Sequence, residues 1–489
     1  MSYSDTPEQA AVIGWSGHRL VVRAFAGTGK TSTLVRYALA NPDSRMLYIA
    51  YNRAVRDEAE QKFPFNVECK TSHQLAWPNF GRHYQPRLTG NLRITDVARQ
   101  LNTRHWPLAR TAIMAFNAFL CSGDSECGPQ HLPDEDDRCG LSADRILAAA
   151  QLLWRESARQ DGSFPVTHDV YLKLYQLSQP DLSRRWQTLL FDEAQDANPV
   201  TQSLVLAQDC NVVLVGDRHQ QIYRFRGAEN ALDAPALSDA ERLNLTHSFR
   251  FGPAVASVAN MLLARQGETL PVVGDGGEDA VVTRLPEENR GGHVTVLSRT
   301  VAGVIGAALD ASLAGRKVFW VGGIAGYKTE ELEDLYWFSA DMPERMRSPT
   351  LSREYRNFDE FESVAKATKD PDMNQGLRLL DQYFPLPQKL QVMREHAVTD
   401  ENLAQVTVST AHRSKGLEWP VVVLNEDFTD ITDPLLPEDE RTDETNLLYV
   451  AVTRARKTLV INALLQGLLE EDAGEEDAGD DPKGDVPAC

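Results

Sequence analysis

A glycine-containing loop near the start of the chain carries the residue types that bind phosphate, residues 24–31 (AFAGTGKT). An apolar run precedes the loop, and residues 31–39 have helical spacing without Pro or Gly. In a strand, loop and helix of this kind, backbone N–H groups close around a β-phosphate, Lys30 reaches the β and γ oxygens, and Thr31 offers a hydroxyl to Mg²⁺. The strict pattern has Gly where this chain has Ala24, and a simple turn before a helix is the alternative. The pattern predicts a nucleotide-phosphate site.

Two adjacent carboxylates follow a second apolar run, residues 189–196 (LLFDEAQD). At the carboxyl end of a parallel strand, Asp192 and Glu193 would face the cleft where the nucleotide lies. Asp192 can hold Mg²⁺ through its water shell, and Glu193 can orient and deprotonate an attacking water. A helix N-terminal cap would explain one of these acids but not the whole octet. The sequence therefore predicts ATP hydrolysis with Mg²⁺.

A third apolar run leads into aromatic and basic residues, residues 216–227 (GDRHQQIYRFRG). Tyr223 and Phe225 are candidates for stacking on nucleic-acid bases, and Arg224 and Arg226 are candidates for binding phosphates. Aromatic residues near strand ends are more often part of a core, which is the alternative for each ring.

The elements that must position these residues are short, continuous apolar runs with helical stretches between them. Such runs are typical of parallel strands covered on both faces, so the predicted fold class is α/β. The predicted strands are 20–25, 46–50, 188–191, 212–215, 294–297, 318–321, 406–408, 421–424 and 458–461. They fall into two groups, before and after about residue 245, which predicts two parallel-sheet cores.

Composition limits the possible functions. The chain of 489 residues has a net charge of −20, and residues 470–489 contribute nine acidic residues and one lysine to it. Because net charge does not describe its distribution, a locally basic groove for nucleic acid remains compatible with this value. No apolar run is long enough to span a membrane, and the N-terminus lacks the features of a signal peptide. We expect a soluble, cytoplasmic protein.

The six cysteines show no disulfide framework, which suits a reducing compartment. Cys121, Cys127, His131 and Cys139 lie close together in the sequence. A zinc site is possible there, but the spacing lacks a CxxC pair, and a solvated loop is the simpler interpretation.

Taken in order, these motifs resemble those of superfamily 1 DNA helicases of the UvrD/Rep/PcrA type, most closely the F-box DNA helicase branch without its F-box. The similarity extends from Thr6 to about Leu465. Further segments that carry it are residues 6–9 (TPEQ), 51–53 (YNR), 71–73 (TSH), 245–250 (LTHSFR), 408–419 (VSTAHRSKGLEW) and 448–456 (LYVAVTRAR).

The resemblance implies roles for individual residues. Gln9 would read the adenine edge, Phe249 would stack on adenine, and Glu418 would bind the ribose. The implied nucleotide-binding residues are Gln9, Ala26, Gly27, Thr28, Gly29, Lys30, Thr31, Ser32, Phe249 and Glu418, with Mg²⁺ at Thr31 and Asp192. The implied catalytic residues are Lys30, Asp192, Glu193, the γ-phosphate sensor Gln220, and the arginine fingers Arg250 and Arg454. The implied DNA-binding residues are Tyr51, Asn52, His73, Tyr223, Phe225, Arg226 and His412.

The resemblance also implies two RecA-like P-loop domains, each with a mostly helical insertion. Their expected bounds are 1–76 and 186–245 for domain 1A, 77–185 for insertion 1B, 246–324 and 401–465 for domain 2A, 325–400 for insertion 2B, and 466–489 for a disordered acidic tail. Since the two arginine fingers come from the second domain, we expect hydrolysis to depend on domain closure.

The implied function is an ATP-dependent helicase or translocase that moves 3′ to 5′ on single-stranded DNA and acts at single-strand/duplex junctions. The family often has Arg where this chain has Ser32, and the register of Tyr51 differs from that of the usual aromatic. The second insertion is short, at about 75 residues, and the family's larger counterpart contacts duplex and regulates unwinding. Two alternatives stay open: a translocase that strips proteins from DNA, and the motor subunit of a complex with a nuclease or repair factor. The acidic tail could also restrain a DNA groove.

Overall fold

The computed structural model describes residues 4–224, 227–287, 291–368 and 371–479. The chain forms two compact units, with the division between Leu245 and Thr246. Each unit contains its own sheet of parallel strands, which confirms the predicted α/β class.

The first unit has a six-stranded parallel sheet in the order β3-β2-β4-β5-β1-β6. Its strands are β1 (Arg19–Ala24), β2 (Met46–Ala50), β3 (Val67–Thr71), β4 (Thr188–Phe191), β5 (Asn211–Gly216) and β6 (Glu241–Leu245). Its helices are α1 (Pro7–Ile13), α2 (Lys30–Ala40), α3 (Arg53–Lys62), α4 (Ser72–Ala76), α5 (Arg82–Tyr84), α6 (Ile94–Gln100), α7 (Trp106–Cys121), α8 (Ala143–Ala158), α9 (His168–Leu177) and α10 (Pro199–Leu206).

Both faces of this sheet are buried. On one face, Leu20, Val22 and Tyr48 pack with Leu34 and Tyr37 of α2. The opposite face shares one continuous core with the helices between β3 and β4. The segment expected to be insertion 1B is therefore helical and packs directly on the sheet that carries the loop and the carboxylates.

The second unit has a seven-stranded parallel sheet in the order β12-β11-β13-β10-β14-β15-β9, and β7 pairs with β8. The strands are β7 (His247–Ser248), β8 (Val273–Gly274), β9 (Ala280–Val282), β10 (Val294–Ser298), β11 (Val318–Trp320), β12 (Ala397–Val398), β13 (Val406–Thr410), β14 (Trp419–Leu424) and β15 (Ala455–Val460). The helices are α11 (Pro253–Arg265), α12 (Val301–Leu313), α13 (Thr329–Ser339), α14 (Thr350–Glu354), α15 (Phe358–Thr368), α16 (Pro371–Gln382), α17 (Leu386–His396), α18 (Glu438–Val452) and α19 (Ala463–Gly479).

The C-terminal segment differs from expectation. The sequence predicts a disordered tail from residue 466, but α19 runs from Ala463 to Gly479. Its early residues explain the difference, because Leu465 and Leu468 are buried and continue a helix begun in the second unit. The helix thus covers part of the predicted tail, and residues 480–489 lie outside the described ranges. Across the described part of the chain, no helix combines the length and apolar character needed to cross a bilayer.

Candidate active site

The glycine-containing loop connects β1 to α2, as its sequence predicts. Gly27 and Gly29 have φ angles of 77° and 78°, in the left-handed region that Gly adopts without strain. The Thr28 hydroxyl donates to the Phe25 carbonyl oxygen at 2.8 Å and closes the turn. Gly29 is the N-cap of α2 and offers no side-chain cap. The first N–H groups of α2 and its positive dipole end are therefore suited to an anion such as a phosphate.

Gln9 lies beside this loop. It is buried on α1, where Thr6 and Gln9 form a reciprocal capping box. The Gln9 amide Nε2 donates to the Thr28 carbonyl oxygen at 3.3 Å. The residue predicted to read the adenine edge is thus attached to the loop predicted to hold the phosphates.

The two carboxylates meet the start of α2. Lys30 Nζ lies 3.0 Å from Glu193 Oε1, and the Thr31 hydroxyl donates to Asp192 Oδ2 at 2.7 Å. The Tyr48 hydroxyl also donates to Asp192 Oδ2, at 3.1 Å. Strand order explains these contacts. β1 and β4 lie on either side of β5, so the loop after β1 and the carboxylates after β4 meet at one edge of the parallel sheet, and Tyr48 reaches Asp192 because β2 lies beside β4.

Asp192 is in an environment that disfavours a bare negative charge. Burial raises its pKa, the nearby negative charge of Glu193 raises it further, and Lys30 and the Thr31 hydroxyl oppose this rise. A bound cation would offset the cost of the buried charge. The Thr31 hydroxyl and the Asp192 carboxylate supply the hard oxygen ligands that Mg²⁺ prefers, so the residues present fit that ion.

The loop after β5 reaches the same edge of the sheet. Gln220 is buried, and its Nε2 donates to Asp217 Oδ2 at 2.7 Å. The Asp217 backbone N–H donates to Gln195 Oε1 at 3.0 Å, and Gln195 Nε2 donates to Glu193 Oε2 at 2.5 Å. Gln220 is therefore connected to Glu193 through two intermediate residues.

Aromatic side chains predicted to contact DNA lie next to the carboxylates. The rings of Tyr51 and Tyr223 stack at 5.9 Å between centroids with 12° between their planes. Both line a cavity of about 210 Å³ that is also lined by His73, Asp192 and Glu193. Groups suited to bases and groups suited to ATP hydrolysis thus share one cavity.

Other predicted DNA contacts have local structural roles as well. Asn52 is the N-cap of α3, and its Oδ1 accepts from the Val55 N–H at 2.9 Å. The His73 ring packs edge-on against Tyr171, with its Nε2 3.4 Å from Asp169. The predicted contacts Phe225 and Arg226 lie outside the described residues.

In the second unit, Arg250 and Glu418 form one cluster. Arg250 Nε donates to Glu418 Oε2 at 2.7 Å, and its Nη1 donates to the Thr453 carbonyl oxygen at 3.1 Å. Arg456 Nη1 lies 3.6 Å from the other Glu418 oxygen. Glu418, expected at the ribose, thus also holds arginine side chains in place.

Arg454 is buried in the turn between α18 and β15. Its guanidinium donates to the carbonyl oxygens of Val450 at 2.8 Å and Leu417 at 3.1 Å, and to the Thr453 hydroxyl at 3.1 Å. Its own carbonyl oxygen accepts from the Trp419 N–H at 3.0 Å. Arg454 therefore fixes the backbone on both sides of Glu418, a role that the sequence did not reveal.

For the remaining predicted site residues, the structure gives their location and burial. Ala26 is buried in the loop, and Ser32 is exposed in the first turn of α2. Phe249 is half-buried directly before Arg250, and His412 is half-buried in the turn after β13. Their roles stay predictions.

The possible zinc site is not formed. Within the described ranges, no group of three or more His, Cys, Asp or Glu side chains is arranged to hold a metal ion. His131 instead lies 3.0 Å from the Ser122 hydroxyl and 3.1 Å from Asp124. The loop is also held by Lys173, whose ammonium donates to the Ser122 carbonyl oxygen at 2.8 Å.

Two residues of the site were missed from the sequence. The sequence places Tyr48 only in a buried strand, although a polar hydroxyl within an apolar run is a signal of a buried hydrogen bond. Gln195 lies inside the octet that carries the carboxylates, and its burial, at 0% exposed, appears only in the folded chain. Neither role is visible without knowing the strand order.

Comparison with known proteins agrees with these motifs. The family model of the UvrD/REP helicase N-terminal domain matches residues 141–234, and that of the UvrD-like helicase C-terminal domain matches residues 327–466. The chain is similar to F-box DNA helicase 1 of Gallus gallus, at 33% identity over 93% of this chain and 48% of that protein. It is also similar to F-box DNA helicase protein 1 of Schizosaccharomyces pombe, at 30% identity over 94% of this chain and 57% of that protein.

A more distant relative is DNA helicase IV of Escherichia coli, at 24% identity over 53% of this chain and 46% of that protein. The chain thus spans about half the length of these relatives. Both family models and the near-complete coverage of this chain agree with the site described above. The chain belongs to the UvrD-like helicase family.

Proposed function

We propose that this chain is an ATP-dependent DNA helicase that moves 3′ to 5′ along single-stranded DNA. The observation that carries the proposal is the shared cavity in the first unit. Lys30 and Thr31 contact Glu193 and Asp192, and the stacked tyrosines Tyr51 and Tyr223 line the same space as these carboxylates. The family membership supports the same activity.

Different residues of the first unit have different proposed roles in ATP hydrolysis. The loop N–H groups and Lys30 hold the β- and γ-phosphates, while Thr31 and Asp192 hold Mg²⁺. When bound, Mg²⁺ neutralises charge that develops on the phosphates. Glu193 orients the attacking water and accepts its proton. Gln220 responds to the γ-phosphate and transmits its presence through the loop after β5.

The residues of the second unit supply the remaining groups. Phe249 stacks on adenine, and Arg250 contributes positive charge to the transferred phosphate. Arg454 is the second predicted arginine finger, and Glu418 contacts the ribose. The positive charge of an arginine finger typically speeds phosphoryl transfer by about 10³- to 10⁵-fold. Coupling between the two RecA-like units then converts each ATP cycle into a step along the strand.

Single-stranded DNA is the proposed track. Tyr51 and Tyr223 offer flat surfaces to bases, at about 1–3 kcal/mol per stacked base. Asn52, His73 and His412 are proposed to contact the strand, together with Phe225 and Arg226. The proposed substrates are single strands and single-strand/duplex junctions. A nuclease or repair factor is proposed as a protein partner.

Strand separation on tailed duplexes tests the proposal. Wild-type protein with ATP and Mg²⁺ should unwind a duplex with a 3′ single-stranded tail and leave a 5′-tailed duplex paired. Lys30→Ala should abolish unwinding, and Lys62→Ala is the matched control, because Lys62 pairs with Glu58 on the surface of the same unit. Unwinding by Lys30→Ala, or a preference for the 5′ tail, would contradict the proposal. Removal of a bound protein without strand separation would instead identify a stripping translocase.

A further inference from the structure

Gln195 is a buried amide whose two ends have fixed partners. It lies in the short turn after β4 and is 0% exposed. Its Oε1 accepts from the Asp217 N–H at 3.0 Å, and its Nε2 donates to Glu193 Oε2 at 2.5 Å, with a longer contact of 3.5 Å to Asp196. A backbone N–H can only donate and a carboxylate can only accept, so the chemistry of these partners determines the orientation of the amide.

The hydrogen bonds of Gln195 lead from Glu193 to the loop after β5. Asp217 accepts from the Gln220 amide at 2.7 Å through one carboxylate oxygen and from the His219 N–H at 3.1 Å through the other. The same loop continues to Tyr223, whose ring stacks on Tyr51 in the cavity beside Glu193. One hydrogen-bonded chain thus runs from Glu193 through Gln195 and Asp217 to the loop that carries the sensor and the aromatic.

Gly216 permits this close approach. A Cβ atom at Gly216 would lie 2.4 Å from Gln195 Oε1 and 3.2 Å from the Ala194 backbone nitrogen. The first distance is far inside van der Waals contact, so any side chain at this position would displace the Gln195 amide. The absence of a side chain at Gly216 therefore lets the end of β5 lie directly against the Gln195 amide.

We propose that Gln195 is a positioning residue that turns Glu193 into its productive orientation when the loop after β5 responds to DNA. The proposal rests on the proposed function and specifies how DNA stimulates hydrolysis at that site. Lys30 contacts one oxygen of Glu193 and Gln195 contacts the other, so the Gln195 contact still orients the carboxylate once the phosphates of ATP draw Lys30 away. A base stacked at Tyr223 shifts the loop, Asp217 moves with it, and Gln195 transmits the movement to Glu193.

The proposal predicts a specific kinetic signature for Gln195→Met, which keeps the volume but removes both hydrogen bonds. The kcat with saturating single-stranded DNA should fall about 100-fold, since misplacing a catalytic group by about 1 Å has an effect of that size. The KM for ATP and the Kd for a fluorescent ATP analogue should stay within about twofold, because Lys30 and the loop still bind phosphate. The ratio of DNA-stimulated to DNA-free turnover should fall as well.

A buried amide elsewhere in the unit provides the matched control. Gln208 is buried, its Oε1 accepts from the Leu182 N–H at 2.7 Å, and its Nε2 donates to the Pro180 and Leu204 carbonyl oxygens. Gln208→Met removes a comparable set of hydrogen bonds away from the carboxylates. It should lower thermal stability but leave kcat per ATP-binding molecule and the DNA stimulation ratio at wild-type values.

Two further variants keep the test decisive if Gln195→Met does not fold. Gln195→Glu is isosteric and places a second carboxylate oxygen against Glu193, so it should reduce kcat at least as much. Gly216→Ala displaces the amide from the other side and should reproduce the loss, and Gly216→Ala combined with Gln195→Ala should be no worse than Gln195→Ala alone.

The outcomes separate this proposal from the proposed function. If the wild type is not stimulated by single-stranded DNA, the proposed function fails. If the wild type is stimulated, and Gln195→Met or Gln195→Glu keeps wild-type kcat and stimulation ratio, the role of Gln195 is overturned. Equal losses in the Gln195 and Gln208 variants would also overturn it, because they would reflect only loss of buried hydrogen bonds.

Discussion

Replacement of Glu193 by Gln is expected to separate ATP binding from ATP hydrolysis. The substitution removes the group that we propose accepts the proton of the attacking water, and it also removes the negative charge that pairs with Lys30. Lys30 Nζ lies 3.0 Å from Glu193 Oε1, with the two side chains 11% and 29% exposed. The variant should therefore bind ATP more tightly and hydrolyse it more slowly.

The expected changes in kcat and in the Kd for ATP can both be estimated from these contacts. General-base catalysis by a positioned carboxylate contributes about 10² to 10⁴ in rate, so kcat should fall at least about 100-fold. A partly exposed ion pair contributes about 1 kcal/mol after screening by water and salt. If ATP no longer has to displace Glu193 from Lys30, this energy becomes available to binding. The Kd for ATP should then fall about fivefold.

Equilibrium titration with a fluorescent ATP analogue and single-turnover hydrolysis measure the two effects separately. Glu68→Gln is the matched control, because Glu68 pairs with Lys70 at 2.8 Å and Arg185 at 2.9 Å on the same sheet but away from the loop. It should change neither quantity. Hydrolysis by Glu193→Gln at the wild-type rate, or weaker ATP binding with the fold intact, would refute this assignment of Glu193.

Three other predictions concern charge. The pKa of Asp192 is raised, and its ionised form is proposed to hold Mg²⁺, so ATPase activity should fall on the acid side of the pH–rate profile. A tenfold increase in free Mg²⁺ should move this acid limb to lower pH by up to about one unit. Profiles measured at two Mg²⁺ concentrations test this, and an acid limb that does not move with Mg²⁺ would contradict it. Burial lowers the pKa of Lys173 to about 8, below its unfolded value of about 10.4, so the unfolded state binds more protons between these values and wild-type stability should rise with pH there. Between these pH values, the free energy of unfolding of the wild type should rise by up to about 3 kcal/mol more than that of Lys173→Met, as measured by denaturant unfolding. An identical pH dependence of the two proteins would refute this prediction. Arg250→Ala should lower kcat about 10³-fold without weakening binding of single-stranded DNA, measured by anisotropy; an equal loss of DNA affinity would indicate a different role.

The sequence predicts the central strands well, because burial on both faces leaves a readable pattern. β2 and β4 are buried along their whole length, and each appears as a continuous apolar run. The edge strands β3 and β6 were missed. They contain polar residues and are only partly buried, since each pairs with a neighbour on one side alone.

Only some of the contacts between site residues could be predicted from the sequence. The loop and the two carboxylates follow strands, so their meeting at one sheet edge could be inferred from general rules for parallel sheets. The Tyr48 hydroxyl reaches Asp192 because β2 lies beside β4, and Gln195 reaches Asp217 because β4 lies beside β5. Strand order is set by packing over the whole unit, so neither contact could be derived from local sequence.

Steady-state ATP turnover with and without single-stranded DNA tests the central claim most directly. The account predicts that wild-type turnover rises when the DNA is added, and that Lys30→Ala removes turnover in both conditions while the protein stays folded. Turnover that does not respond to single-stranded DNA, or that survives in Lys30→Ala, would contradict the account.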